Sequence, residues 1–162
     1  MENIEKIKKD LKQVLSERRY EHSIGVMNMA EEFAKIYIVD IETAKIAGLL
    51  HDNAKEMTKE EMLKYVEENN IEITEFEKLN VPILHGKIGA DIAKKKYGVS
   101  EQIAKAIEYH TTTSPKMDTL AKIIYVSDKV ELTRKSEKFD IESERKLATI
   151  DLDKAVLLII NN

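Results

Sequence analysis

Asp40-Ile-Glu-Thr-Ala-Lys-Ile-Ala-Gly-Leu-Leu-His-Asp-Asn53 is the stretch on which the reading of the chain turns. Aspartate is a preferred helix N-cap, so Asp40 predicts a helix from about Ile41 to Asn53. His51 shares a face of it with Ala44, Ala47 and Ala54, and Asp52 follows directly on the apolar run Ala47-Gly-Leu-Leu50. An imidazole and a carboxylate carried into an interior cost several kcal/mol if left without partners. A partner for them must therefore exist.

Working outward, the dominant period is helical. Ile4, Ile7, Leu11, Val14 and Leu15 fall on one stripe of a first helix, and a second runs from about Tyr20 to Tyr37. Thr58-Lys-Glu-Glu61 reads as a capping box opening a polar helix to about Glu68, and Asn69 to Pro82 reads as a turn plus a short helix. A helix from about His85 to Tyr97 carries Lys94, Lys95 and Lys96 in its last turn, a cluster that suits the helix dipole, and ends at Gly98. Ser100 starts a helix ending near His110, Thr111 to Pro115 forms a loop, and Asp118 caps a long helix reaching about Arg134. Glu60/Lys64, Glu101/Lys105 and Glu142/Lys146 have the spacing of exposed helix-face pairs. Lys135 to Ser143 is polar and reads as a mobile loop. No strand alternation, internal repeat or low-complexity tract interrupts the pattern, so the expected fold is an all-α helical bundle.

Composition narrows the function. The 162 residues suit one domain able to bury roughly 70% of its unfolded surface. Cysteine is absent, which removes disulfides, thiolate metal sites and a cysteine nucleophile. A net charge of −4 argues against a general nucleic-acid binder. The N-terminus lacks the apolar core of a signal peptide, and the longest apolar run, Ala155 to Ile160, is too short to span a bilayer. A soluble, cytoplasmic protein is expected, with no membrane partner. That apolar run is expected to be buried in the core or in a homodimer contact.

The four histidines carry the functional signal. His22 lies on the stripe of Val26, Met29, Ala30 and Phe33; His85 opens a face continued by Ile88, Gly89 and Ile92; His110 continues the stripe of Ile103 and Ile107. Asp128 falls on the stripe of Ala121 and Ile124. Any one of these alone is more often a hydrogen-bonded core residue than a ligand. Together with His51 and Asp52 they make six nitrogen and oxygen donors from five helices. A divalent metal satisfies such a set, and imidazole with carboxylate suits zinc, iron, manganese or cobalt better than calcium or magnesium. Six donors exceed what one four-coordinate ion requires, so two metals are the better count.

The order His22, His51-Asp52, His85, His110 and Asp128 resembles the H…HD…H…H…D pattern of the HD-domain metal-dependent phosphohydrolase superfamily. Arg19-Tyr-Glu-His-Ser-Ile-Gly-Val26, Gly48-Leu-Leu-His-Asp-Asn-Ala-Lys-Glu56, Leu84-His-Gly-Lys-Ile-Gly-Ala90, Glu108-Tyr-His-Thr-Thr112 and Ile124-Tyr-Val-Ser-Asp-Lys-Val-Glu131 resemble one branch closely. That branch is the YqeK-like bacterial symmetrical diadenosine tetraphosphate hydrolases. The resemblance implies a single HD domain over residues 1–162, with the motifs between about 18 and 134 and a C-terminal helical segment at about 142–160. It implies that His22, His51, Asp52 and Asp128 bind one metal, that His85 and His110 bind a second, and that Asp52 bridges them. Iron is the usual metal of the branch, with manganese or cobalt as substitutes. The chain departs from the branch at Leu132, where proline is usual, at Thr113, where glycine is usual, and in ending earlier than most relatives.

The resemblance further implies that a hydroxide bridging the metals attacks a central phosphate of a dinucleoside polyphosphate, giving two ADP. Asp52 and Lys55 are the candidate catalytic residues. Lys55 is the first choice for a phosphate contact, followed by Arg19, Lys87, Arg134 and Arg145; each of these cations reads equally as a solvated charge. Thr111 and Thr112 either donate to phosphate oxygens or close a helix end, and Glu108 and Glu131 either orient ligands or lie on the surface. Three alternatives stand beside this reading: a hydrolase of another nucleotide, such as a deoxynucleotide or signalling nucleotide, a di-iron oxygenase, and a non-catalytic nucleotide-binding regulator. The complete ligand set argues against the last.

Overall fold

A computed structural model describes residues 3–162, and among them are ten α-helices and no strand. They are α1 (Ile4–Val14), α2 (Glu17–Tyr37), α3 (Ile41–Leu50), α4 (Lys59–Glu68), α5 (Glu75–Leu79), α6 (His85–Tyr97), α7 (Glu101–Thr112), α8 (Thr119–Val130), α9 (Ile141–Ile150) and α10 (Leu152–Asn161). A 3₁₀ turn, Val81–Leu84, leads into α6. No helix among the described residues is long and apolar enough to cross a membrane.

Side-chain caps set the helix starts. Ser16, Asp40, Ser100 and Asp118 each accept a hydrogen bond from the backbone N–H three residues on. Such a cap contributes about 1 kcal/mol to a helix end. Thr58 with Glu61 makes the expected capping box, and Thr74 with Glu77 makes a second one that opens α5.

The four helices α2, α3, α7 and α8 pack against one another and enclose the main core. Phe33, Ile46, Leu49, Leu50, Ile103, Ile107 and Ile123 are fully buried there. Gly48 lets α3 lie close on α2, since a Cβ at that position would stand 3.0 Å from Met27 Cα. A smaller core of Ala54, Met62, Val66, Leu84 and Ile88 seats α4 beside α6.

Helix ends differ from expectation where tertiary contacts decide them. α2 begins at Glu17 because Ser16 caps it, and α3 stops at Leu50. Beyond Leu50 the backbone tightens into turns, with Asn53 N–H donating to Leu50 O and Lys55 N–H to Asp52 O. α7 runs through Thr112, so the loop begins at Thr113, whose φ of 57° and ψ of 177° suit glycine. α8 ends at Val130 instead of near Arg134. The segment expected at 142–160 is two helices, because Asp151 closes α9 and caps α10. Val14 leaves the expected stripe and is 58% exposed. Of the apolar run, Ala155 and Val156 are buried, whereas Leu157, Leu158 and Ile160 are exposed. Lys64 pairs with Glu68, and Glu101 with Lys94, in place of two expected helix-face pairs.

Candidate metal centre

The core helices bring six predicted ligands to one place. His22 comes from α2, Asp128 from α8, His110 from α7 and His85 from the first residue of α6. His51 and Asp52 stand where α3 gives way to the following turns. All six are buried.

The donor atoms form two groups joined through Asp52. In the first, His22 Nε2 lies 2.9 Å from Asp128 Oδ1 and 3.6 Å from Asp52 Oδ2. His51 Nε2 is 3.3 Å from each of those same carboxylate oxygens. In the second, Asp52 Oδ1 lies 3.3 Å from His85 Nε2 and 3.2 Å from His110 Nε2, and the two nitrogens are 3.1 Å apart. Donors around one ion, at bond lengths of about 2.0–2.2 Å, stand about 3.0–3.5 Å from one another. Both groups have that spacing.

Each imidazole is fixed from behind. The Nδ1 of His51 donates to Gly48 O at 2.7 Å, that of His85 to Pro82 O at 2.7 Å, and that of His110 to Ile107 O at 2.5 Å. A carbonyl only accepts, so the proton of each neutral ring sits on Nδ1 and the Nε2 lone pair is free to point inward. His22 Nδ1 is held instead by the buried carboxylate of Glu131, at 2.7 Å. Gly25 makes room for that carboxylate, because a Cβ there would meet Glu131 Oε1 at 2.5 Å. Thr133 holds the same group from the other side through its backbone N–H and hydroxyl. The donor set therefore fits two divalent cations, one on each side of Asp52.

The electrostatics agree with a cation site. Burial opposes ionisation of Asp52 and Asp128, yet the surrounding imidazoles outweigh it and hold both carboxyls well below the usual range. Burial likewise opposes a charge on His51, but Asp52 and Asp128 push its pKa up to about 10. For His22 burial is again outweighed, by Asp128 and Glu131, and its pKa rises. His110 is lowered by burial. Burial raises Glu131, but His22 and Thr133 bring it below the usual value.

The predicted cations divide into two sets. Arg19 reaches Asp52 Oδ2 at 3.4 Å, and Arg134 reaches Asp128 Oδ1 at 3.3 Å, so both stand at the mouth of the centre. Lys55 lies half-buried in the turn after Asp52, with no ion pair or hydrogen bond to its ammonium among the described residues. Lys87 is committed elsewhere, to buried Glu77 and to Glu72 O, both at 2.9 Å. Arg145 donates to Val130 O at 2.7 Å and so closes the end of α8. Thr111 donates to Glu108 O and Thr112 to Thr113 O, both at a helix end. Glu108 is half-buried on α7 in a cleft beside Lys87.

Two contributors escape a reading of the sequence. Lys129 reaches Asp128 Oδ2 at 3.0 Å, and Asn53 ties Leu50 O to Gly89 O, joining the turn after α3 to α6. The position of Lys129 beside Asp128 is the signal for the first. A lone asparagine after the His-Asp pair gives none for the second.

With this fold and donor set, residues 19–133 match the HD domain family, and the chain belongs to it. Among curated relatives, it is 38% identical over 153 residues to the symmetrical bis(5'-nucleosyl)-tetraphosphatase of Bacillus subtilis, covering 94% of this chain and 81% of that one. The Staphylococcus aureus protein of the same name is 33% identical over 155 residues, covering 95% and 79%. A crystal structure from Clostridium acetobutylicum, described as a predicted HD superfamily hydrolase involved in NAD metabolism, is 40% identical with a TM-score of 0.95. The match covers all of this chain and 85% of that one.

Proposed function

We propose that this protein is a metal-dependent hydrolase that cleaves diadenosine tetraphosphate at its centre to give two ADP, with iron as its metal and manganese or cobalt as substitutes. The observation that carries the reading is the division of Asp52, one oxygen facing His22 and His51, the other His85 and His110. The names of the relatives in Bacillus subtilis and Staphylococcus aureus support the choice of substrate.

Two divalent ions held there would supply a water acidified toward neutrality and offset phosphate charge. The chain's own residues do the rest. The six ligands fix where the reacting phosphate sits, and the Nδ1 hydrogen bonds keep the four rings from turning. Arg19, Arg134, Lys129 and Lys55 offer cations to phosphate oxygens, which carry the charge that grows as the bond breaks. The oxygen of a water joins one central phosphorus, and the bond between that same phosphorus and the oxygen bridging it to the other central phosphorus breaks. The electron pair leaves on that bridging oxygen, which departs as part of ADP. The protons of the water pass to the phosphate products and solvent.

The test is incubation with diadenosine tetraphosphate and ferrous, manganous or cobaltous ion under anaerobic conditions, with products separated by chromatography. ADP as sole product is expected. AMP with ATP would overturn central cleavage, and no phosphoanhydride cleavage with metal bound would overturn the hydrolase.

A further inference from the structure

Three depressions meet at the mouth of the metal centre. The middle one, of about 320 Å³, carries an excess of cations: Arg18, Arg19, Arg134 and Lys135 line it together with His22, Thr133 and the buried carboxylate of Glu131. On one side it shares Thr133 with a cleft of about 750 Å³ on the outer face of α2, where Tyr20, Ile24, Met29 and Leu132 make an apolar surface. On the other side it shares Arg134 and Lys135 with a cleft of about 450 Å³ that contains the rings of Tyr125 and Phe139. Both outer clefts have the size of small-molecule pockets.

Charge sorts them. Phosphates belong in the middle, beside the ligands and four cations. The α2 cleft is rimmed by Glu21, Glu31 and Glu32 and lined by Asn28, so it repels phosphate but suits a neutral heterocycle with an amino group and a ribose with hydroxyls. The Tyr125–Phe139 cleft is lined by two aromatic side chains and by Glu144, with Lys129 5.6 Å from the centre of the buried Tyr125 ring and Lys138 5.1 Å from that of Phe139. A base seated there takes the place of Lys138 over the half-buried Phe139 ring, with Lys129 and Arg134 toward the centre.

The wall between the clefts is built into the site. Thr133 is pinned to Glu131 by two hydrogen bonds, and Arg134 Nε donates to Asp128 O at 2.9 Å. The strip Leu132 to Lys135 is thus held by the partner of one ligand and by another ligand itself. It presents Leu132 to one cleft and Arg134 and Lys135 to the other two.

We propose that the two outer clefts each hold one nucleoside end of a dinucleoside polyphosphate, with the metal centre between them. This rests on the hydrolase reading above and deepens it: a site with a nucleoside seat on each side of the metals places the middle of the phosphate chain at the reacting position.

The chain has no tryptophan, so single tryptophans can report on each cleft. Leu132→Trp places one in the α2 cleft at a residue 72% exposed, and Phe139→Trp replaces one ring by another in the second cleft. ADP, added to each manganese-loaded variant, is expected to quench both reporters saturably, while inorganic phosphate at equal concentration quenches neither. A response in only one variant, in neither, or equally to phosphate overturns the two-seat arrangement. Kinetics give a second reading. Asn28→Trp, which fills the α2 cleft from an exposed position, and Phe139→Ala are each expected to lower kcat/KM for diadenosine tetraphosphate about ten-fold or more. On adenosine 5'-tetraphosphate, whose single nucleoside can use either seat, the same variants are expected to lose clearly less than on diadenosine tetraphosphate, since the other seat remains. Equal losses on both substrates overturn the proposal. Turnover by the unaltered protein with silent reporters refutes the seats and leaves the hydrolase; quenched reporters without turnover support the seats and refute the hydrolase.

Discussion

Asp52 and His110 stand 3.2 Å apart across the join between the two ligand groups, while the other oxygen of Asp52 faces His51 at 3.3 Å. No other side chain among the described residues belongs to both candidate groups. Asp52→Ala is therefore expected to abolish turnover and to lower bound metal from two ions per chain to one or none, measured by elemental analysis after gel filtration. Two retained ions with normal turnover would show that the carboxylate does not bridge.

Glu131 acts through His22. Glu131→Gln keeps a hydrogen-bonding group beside Nδ1 but removes the charge, whereas Glu131→Ala removes both. Losses of such partners typically cost about 10- to 100-fold in metal affinity. The alanine variant is expected to lie at the upper end and the glutamine variant between it and the unaltered protein, by competitive metal titration. Gly25→Ala is expected to resemble Glu131→Ala, because its Cβ would occupy the carboxylate's place.

Lys55 has no ion pair or hydrogen bond to its ammonium among the described residues and follows Asp52 by three residues. Lys55→Ala is expected to leave two ions bound and to raise KM or lower kcat for a polyphosphate substrate. Loss of metal in this variant would mean that the lysine supports the ligand turn and does not serve the substrate.

The pH dependence of stability follows from the ion pairs within the centre. The pKa of His51 rises from 6.5 to about 10 on folding, so its contribution to the ion-free protein is full below 6.5 and is lost as pH rises through about 10. Asp52 and Asp128 are depressed, so their contribution is present above about 3.9 and is lost as pH falls through their lowered values. The melting temperature of chelator-treated protein is expected to fall from pH 6.5 toward 10. Metal-loaded protein, in which cations replace the protons, is expected to hold its melting temperature across that range, as read by calorimetry.

Thr113 occupies φ 57°, ψ 177°, a region that costs a β-branched residue of order 1–3 kcal/mol. Glycine removes that strain but costs about 0.5–1 kcal/mol in chain entropy. Thr113→Gly is expected to stabilise the fold by about 1 kcal/mol, a rise of about 2–4 °C in melting temperature. A fall would show that the Thr113 side chain contributes more than its backbone loses.

Helix starts were legible because a cap is a local device. Asp40, Thr58, Ser100 and Asp118 announce themselves by residue type and by their place before an apolar period. Helix ends were harder to read, since distant groups decide them. Arg145 takes the carbonyl of Val130 and closes α8, and Asp151 breaks a segment whose apolar pattern runs on. The ligands were legible because imidazoles and carboxylates on apolar faces need a shared partner. Which cations face the centre was legible only in part, for Arg19 and Arg134. Lys87 follows a ligand by two residues yet is drawn to Glu77, and Lys129, with an equally ordinary neighbourhood, turns to Asp128. The carboxylate that draws Lys87 lies ten residues away in sequence, whereas the one that draws Lys129 is its neighbour. Only the packed helices reveal which of the two kinds decides the direction of a long side chain.

The central claim is that both ligand groups joined by Asp52 are needed to split diadenosine tetraphosphate at its middle. Its most direct measurement is a titration of metal-free protein with manganous ion, following bound ions per chain and the rate of ADP formation together. ADP formation is predicted to appear as the second ion binds, with no AMP or ATP at any point. A full rate at one ion per chain, or AMP with ATP as products, would contradict the account.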